Sequence, residues 1–208
     1  MTKVPPNIET VVRTIAEVCV ENEKYFCELD SVAGDGDFGY SLARGFENVL
    51  AQWDGYDLTD AGTFLQKVAL TMSSRIGGTS GPIWGTAFLR AAGVAKGKSE
   101  LTGADIVSML RSAIDGIKAR GGADVGDKTL LDALVPLTDE VERGAAALED
   151  AKTIAIRAAQ AARAGAERTR GMIARRGRAS YTGARSVGSL DPGAVAVAVL
   201  AERIVASW

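Results

Sequence analysis

Three aspartates separated by glycines stand out in the stretch LDSVAGDGDFGYSL, residues 29–42. Asp30, Asp35 and Asp37 lie close together, and no lysine, arginine or histidine lies inside the run to neutralise them. Such a run is either a solvated turn with Asx capping or a site that holds something positively charged. Carboxylate oxygens suit hard cations, and Mg²⁺ shared with phosphate oxygens is favoured over Ca²⁺ because the EF-hand register is missing.

Three more glycine-containing loops offer complementary chemistry: RIGGTSGP (75–82), RGGADVGDKT (120–129) and GRASYTGARSVGSLDPG (177–193). The first is either a plain helix start or a phosphate cradle built from backbone N–H groups and the hydroxyls of Thr79 and Ser80. Arg178 in the last loop can meet negative charge bidentately. A metal site, a phosphate cradle and an arginine together are typical of phosphoryl transfer.

The composition excludes several other classes of function. The chain of 208 residues has no histidine, which excludes Ser-His-Asp and Cys-His nucleophile systems and His-ligated metals. Its net charge of −2 argues against binding to nucleic acid or to an anionic membrane. No signal pattern and no apolar run of the ~20 residues that span a bilayer is present. We expect one cytoplasmic domain over residues 1–208, with Cys19 and Cys27 as reduced thiols on one helix.

Hydrophobic spacing of three and four residues predicts an all-α fold of eight helices. The expected helices cover residues 7–27, 39–52, 60–75, 80–95, 102–120, 128–148, 150–175 and 193–207. Thr102 with Asp105 predicts a capping box, Asp127 is expected to cap the helix that follows it, and Asp191 with Pro192 is expected to begin the last helix. Pro136 should kink the helix that contains it.

The order of the loops along the chain predicts one composite site. In a bundle of antiparallel helices, alternate loops share an end, which places the loops after helices one, three, five and seven together. These are the four glycine-containing loops, whereas the other three read as plain connectors. Each loop alone is weak evidence for a site, and their convergence at one end of the bundle is what favours function.

Four segments resemble one family: GDGDFG, GGTSGPIWGTAFLRAA, GDKTLLDALVP and GRASYTGARSVGSLDPGA. They are similar to the nucleotide-binding L subunit of dihydroxyacetone kinase and to the matching domain of single-chain, ATP-dependent dihydroxyacetone kinases. The resemblance covers nearly the whole chain. It implies a barrel of eight antiparallel helices with the nucleotide in the loops at one end.

The resemblance also implies roles for particular residues. Asp30, Asp35 and Asp37 would hold two Mg²⁺ ions. The residues expected to contact ADP or ATP are Phe38, Gly39, Tyr40, Ser41, Thr79, Ser80, Gly121, Leu130, Arg178, Asp191, Pro192 and Gly193. The sequence departs from the family pattern where Phe38 replaces a histidine, Ser41 an asparagine, Ala184 a glutamate and Ser189 a histidine.

The implied activity is phosphoryl transfer to a short ketose that a separate K subunit holds. In one mode of the family ATP is an ordinary substrate, and in the other bound ADP is rephosphorylated by a phosphohistidine M subunit of the phosphotransferase system. Phe38 leaves open a second interpretation, a nucleotide-binding regulatory subunit with little turnover that binds a partner protein or a transcription regulator. A third is an all-α scaffold without a ligand.

Overall fold

The fold is all-α in the part of the chain that the computed structural model describes, residues 7–73, 78, 80–98 and 100–208. Nine α-helices lie in these ranges: α1 (Ile8–Glu21), α2 (Glu23–Ser31), α3 (Phe38–Ala51), α4 (Ala61–Ser73), α5 (Ser80–Ala95), α6 (Gly103–Gly121), α7 (Leu131–Ala146), α8 (Ala151–Arg168) and α9 (Pro192–Ala206). No strand is found within them, and none of these helices is both long and apolar enough to cross a membrane.

Two helix starts follow directly from local sequence. Thr102 accepts a hydrogen bond from the Asp105 N–H at 3.2 Å, and the Asp105 carboxylate accepts one from the Thr102 N–H at 2.9 Å. This reciprocal pair is the predicted capping box of α6. At α9, the Asp191 carboxylate accepts from the Ala194 N–H at 2.7 Å, and Pro192 occupies the first turn, also as predicted.

The first predicted helix, residues 7–27, is divided in two. Asn22 ends α1, where its side-chain amide donates to the Val18 carbonyl at 2.8 Å and its backbone leaves the helical region. An asparagine side chain that bonds to a nearby backbone carbonyl competes with the regular helix, so α1 can end here without a glycine. The described residues therefore hold nine α-helices where eight were predicted. Cys19 lies buried on α1 and Cys27 half-buried on α2, and both are free thiols.

The end of the chain differs from the prediction in a second place. The helix expected over residues 150–175 stops at Arg168, and a 3₁₀ turn, Thr169–Gly171, follows it. The segment expected as a loop contains 3₁₀ turns over Arg178–Ser186, interrupted by Gly183 at φ 57°. Because glycine reaches positive φ without a steric penalty, Gly183 allows the break between two short turns.

The core is built from apolar faces of consecutive helices. The helices pack on their neighbours in the chain from α3 to α9, and α1 packs on both α3 and α9. Phe26, Phe46 and Phe64 are at most 1% exposed, and each such ring stabilises the fold by about 1.5–3 kcal/mol. Trp53 and Trp84 are also buried in this core.

Small residues let α7 and α8 approach closely, as the many alanines and glycines within helices predicted. A Cβ atom on Gly165 of α8 would lie 2.2 Å from the Asp132 carbonyl oxygen and 3.0 Å from the Ala133 Cα. Both are backbone atoms of α7, which cannot move without displacing the helix. The contact therefore admits only glycine at this position.

Gly165→Ala is expected to lower the free energy of unfolding by about 2–3 kcal/mol through overpacking of this helix pair. Gly93→Ala on α5 is the matched control, because Gly93 is helical and its added Cβ would meet nothing within 4 Å. Alanine there should raise stability by about 0.5–1 kcal/mol through helix propensity. Urea unfolding followed by circular dichroism measures both, and equal effects at the two positions would contradict the close approach of α7 and α8.

Candidate nucleotide and metal site

Described residues of all four glycine-containing loops line one cavity of about 540 Å³. Its walls come from the α2–α3, α4–α5, α6–α7 and α8–α9 connections and the helix ends beside them. The lining residues used below are Asp30, Asp35, Asp37, Phe38, Gly78, Ser80, Ile83, Gly121, Lys128, Leu130, Arg178, Asp191, Pro192 and Gly193. The loops that the order of the chain assigned to one end thus line a single cavity.

The aspartate run forms a compact carboxylate cluster. Asp30 lies in the last turn of α2, and Asp35 and Asp37 follow in the turn before α3. One oxygen from each carboxylate lies within 4.8 Å of the others. Two glycines shape the turn: Gly36 has φ 78°, and a Cβ on Gly34 would lie 2.1 Å from Asp30 Oδ1. The chain therefore folds tightly enough to bring the three carboxylates together.

A guanidinium from a distant loop supplies the positive charge that the aspartate run lacks. Arg178 forms an ion pair with Asp35, and its Nη1 lies 3.6 Å from Asp37 Oδ2. Burial raises the pKa of Asp37 above its usual value, and the negative charge of Asp30 raises it further. The carboxylates thus repel one another despite the arginine. Three carboxylates against one guanidinium leave two negative charges when all are ionised.

The donor set fits a hard divalent cation. All three side chains offer carboxylate oxygens, with no nitrogen or sulfur donor in the cluster, which suits Mg²⁺ or Ca²⁺. The excess of negative charge would be offset by such a cation. Asp35 and Asp37 are exposed and Asp30 is half-buried, so the oxygens remain open to a ligand from the cavity side.

An apolar wall adjoins the charged part of the cavity. Gly121 and Leu130, which the family resemblance predicts beside the adenine and ribose, lie on this wall. A Cβ on Gly121 would lie 3.1 Å from Ile83 Cδ1, and one on Gly193 would lie 3.2 Å from Leu130 Cβ. Larger side chains at either glycine would therefore crowd this wall. A flat apolar ring is the kind of group that it could accept.

Two helix N-termini border the cavity. Ser80 is the first residue of α5, and Gly78 before it has φ 64°. Thr79, the other member of the predicted phosphate pair, lies outside the described residues. At the N-terminus of α9, burial raises the pKa of Asp191 to about 7, although the hydrogen bond from the Ala194 N–H opposes this. Helix N-termini attract anions, which suits phosphate at this edge.

The predicted contacts at the start of α3 divide into two groups. Phe38 lines the cavity and packs on Phe26, with 6.1 Å between ring centroids. Gly39, Tyr40 and Ser41 are not among the described residues that line it. A Cβ on Gly39 would lie 2.0 Å from the Glu23 carbonyl oxygen, so this glycine serves the packing of α3 on α2.

Tyr40 and Ser41 also lie off the described cavity lining, and Tyr40 is 55% exposed. Tyr40 donates its backbone N–H to Cys27 Sγ at 3.2 Å, and the Arg44 guanidinium lies 5.2 Å from its ring centroid. Ser41 is 8% exposed and is one of the buried residues of α3. Of the four residues from Phe38 to Ser41 that the resemblance implied as nucleotide contacts, only Phe38 therefore lies on the described cavity wall.

The connection between α6 and α7 and the first turn of α7 contain residues that sequence reasoning missed. Asp127 was expected to cap α7, but that helix begins at Leu131 and Asp127 instead accepts from the Asp124 N–H at 3.0 Å. The carboxylate that organises this turn is Asp132, which accepts from the N–H groups of Gly126 and Thr129 at 2.6 and 2.8 Å. An acidic residue in the first turn of a helix was the available signal.

Lys128 is the second residue that was missed. It is 3% exposed and lines the cavity, and desolvation lowers the pKa of its ammonium, which the nearby Asp191 carboxylate partly offsets. A lysine between an aspartate and a threonine in a glycine-rich loop looks solvated in sequence. Only the folded chain shows that oxygen atoms surround it.

The chain is similar to known proteins over nearly its whole length. The model of the DAK2 domain matches residues 32–206. The ADP-binding subunit DhaL of the PEP-dependent dihydroxyacetone kinase of Escherichia coli is 39% identical over 181 residues, which cover 84% of this chain and 83% of that protein. The corresponding subunit of a PTS-dependent kinase of Lactococcus lactis is 32% identical, covering 89% and 88%.

Longer kinases and solved structures match as well. The L-erythrulose 1-kinase of Mycolicibacterium smegmatis is 40% identical over 93% of this chain, which spans only 34% of that protein. The fold matches the dihydroxyacetone kinase of C. freundii, solved in complex with AMP-PNP and Mg²⁺, with a TM-score of 0.77 and 24% identity over 99% of this chain and 35% of that one. At this identity the structural match shows a shared fold. The sequence matches confirm the resemblance, and the chain belongs to the DAK2 domain family.

Proposed function

We propose that this chain is the ADP- or ATP-binding, Mg²⁺-dependent subunit of a short-ketose kinase of the dihydroxyacetone type. The observation that carries the proposal is the meeting of the carboxylate cluster, Arg178 and two helix N-termini around one cavity. Relatives that are ADP-binding subunits of dihydroxyacetone kinases, or are erythrulose kinases, support the same activity.

The residues of the chain have separable tasks in this proposal. Asp30, Asp35 and Asp37 would hold two Mg²⁺ ions, which would supply the charge that a polyphosphate needs. Arg178 would exchange its ion pair with Asp35 for contacts to phosphate oxygens, since a guanidinium pairs with either group. The α5 and α9 N-termini would add backbone N–H donors, and the wall at Gly121 and Leu130 would hold the base.

The ketose would come from a separate K subunit docked at the cavity mouth. The chain would therefore hold and orient the phosphoryl donor rather than the acceptor. The donor would be ATP itself, or ADP rephosphorylated by a phosphohistidine M subunit of the phosphotransferase system. The proposal includes a cytoplasmic location and one domain over residues 1–208.

Phe38 favours a second function. It occupies the cavity wall where the family carries histidine, and a phenyl ring cannot donate a hydrogen bond to phosphate. A chain that binds nucleotide tightly but transfers phosphate slowly would serve as a nucleotide-binding regulatory subunit of a partner protein or a transcription regulator.

The test of nucleotide binding is a calorimetric titration of the purified chain with ADP and with ATP, with and without Mg²⁺. We expect micromolar or tighter binding that depends on Mg²⁺, because the carboxylates repel phosphate unless a cation lies between them. Binding that ignores Mg²⁺, or no binding, would rule out both functions.

Product detection separates the two functions. The chain is mixed with its K partner, a triose or tetrulose ketose, and either ATP or the phosphoenolpyruvate phosphotransferase components. Formation of the ketose phosphate supports the kinase and identifies its donor. Mg²⁺-dependent ADP binding without product under either condition supports the regulatory subunit.

A further inference from the structure

Lys128 adopts a conformation that is rare for its residue type. Its φ is 62°, in the left-handed region that glycine enters freely and lysine does not. Its side chain is also almost fully buried, at 3% exposure. Lysine is costly at such a position for both reasons, and contacts of its ammonium have to offset that cost.

The ammonium lies among oxygens of one segment. Lys128 Nζ lies 2.5 Å from the Ser186 carbonyl oxygen, 2.7 Å from that of Ser189 and 3.3 Å from that of Met172, with Ser189 Oγ at 3.2 Å. Met172 begins the segment 172–189 and Ser189 ends it. A single group therefore ties together both ends of the stretch that carries Arg178.

Two further hydrogen bonds involve residues of the segment. The Ser186 hydroxyl accepts from the Ala174 N–H at 2.9 Å, and the Arg175 N–H donates to the Asp127 carbonyl at 3.0 Å. The first bond joins two residues of the segment, and the second joins the segment to the residue that precedes Lys128. On the other side, the buried Asp132 holds the turn that contains Lys128 through the N–H groups of residues 126 and 129.

Lys128 has no donor left for a ligand, although it lines the cavity. An ammonium carries three N–H donors, and four protein oxygens already lie within reach of them. Direct contact with a bound phosphate would require it to release the segment. Its geometry is that of a group that positions other residues.

We propose that Lys128 is a positioning residue whose ammonium closes the segment 172–189 into a loop and thereby holds Arg178 over the Asp35 and Asp37 carboxylates. The part of this inference that concerns Arg178 and phosphate rests on the proposed function. The closure of the segment by Lys128 does not.

The closure is tested by limited proteolysis of the full chain with trypsin. The segment contains Arg175, Arg176, Arg178 and Arg185, so cleavage after these residues reports local opening. Lys128→Met keeps the length and removes the charge, and we expect cleavage within the segment to accelerate on the order of 10-fold. Lys67→Met, at an exposed position of α4, is the matched control, and trypsin should cleave its segment 172–189 at the wild-type rate.

A rate for Lys128→Met within about twofold of the wild type would overturn the proposal, given that local opening sets the rate. Mass spectrometry assigns each cut to its arginine. If Lys128→Met does not fold, Lys128→Asn takes its place, because asparagine tolerates the left-handed backbone and also removes the ammonium.

A double-mutant cycle tests the link to Arg178. Calorimetry with ADP and Mg²⁺ is run on Lys128→Met, Arg178→Ala and the double variant. If Lys128 acts through Arg178, its replacement weakens ADP binding on the order of 10-fold in the wild type and has little effect when Arg178 is already alanine. Equal losses in both backgrounds would show a structural role alone and overturn the link. Wild-type chain that binds no ADP would reject the proposed function, and trypsin cleavage would still decide the closure.

Discussion

Asp35→Asn should abolish Mg²⁺-dependent ADP binding, with a loss of affinity on the order of 100-fold or more. Asparagine keeps the shape of the side chain but removes the charge at the centre of the carboxylate cluster. The remaining carboxylates of Asp30 and Asp37 would not hold two cations. Calorimetric titration with ADP at fixed Mg²⁺ measures the loss, and titration without Mg²⁺ gives the baseline.

The substitution should leave the fold intact, because the Asp35 side chain is partly exposed and its described ionic partner is Arg178. We expect its free energy of unfolding to stay within about 0.5 kcal/mol of the wild-type value. Asp115→Asn is the matched control, since Asp115 is exposed on α6 and does not line the cavity. If Asp35→Asn binds ADP with unchanged Mg²⁺ dependence, the carboxylate cluster is not the metal site.

Asp191→Asn should flatten the pH dependence of stability. The pKa of Asp191 is raised to about 7 in the folded chain, against 3.8 for the unperturbed group, so between these values the folded state holds a proton that the unfolded state has released. Stability from this group is therefore complete below about pH 4 and is lost as the pH rises to about 7. The difference in pKa corresponds to a ceiling of about 4 kcal/mol, and partial contact with solvent lowers the expected loss to about 2 kcal/mol.

Asparagine can still cap α9 but does not titrate, so the free energy of unfolding of the variant should increase relative to that of the wild type as the pH rises from 4 to 8. Urea unfolding at several pH values, in the presence of a chelator, measures this. Asp150→Asn is the matched control, because Asp150 caps α8 in the same way but lies at the surface. A wild-type profile that rises between pH 4 and 7, with no difference from Asp191→Asn, would contradict the raised pKa of Asp191.

Local signals in the sequence predicted much of the helical structure. The capping box at Thr102 and the Asp191–Pro192 start of α9 depend on residues no more than three positions apart, and both are present. Local signals failed where competing local bonds were possible. Asn22 divides a continuous apolar pattern, and Asp132 replaces Asp127 as the carboxylate that organises the turn before α7.

The candidate site was predictable as a set of loops but not as a set of contacts. Alternate connections of a helical bundle share an end, so the chain order alone indicated that the four glycine-containing loops converge, and they line one cavity. Helix packing decided the rest. Gly39 belongs to the α2–α3 contact, which a sequence motif cannot distinguish from a ligand contact.

By itself the sequence determined the helical class, several helix ends and the chemistry available to the loops: carboxylates for a cation, N-termini and an arginine for an anion, and no imidazole. Only the tertiary structure decided which charges meet. Arg178 reaches Asp35 and Asp37 from far along the chain, and Lys128 holds the segment that carries it. Residue types and short spacings determine local bonds, whereas an ion pair or a buried ammonium depends on distances that exist only after the helices have packed.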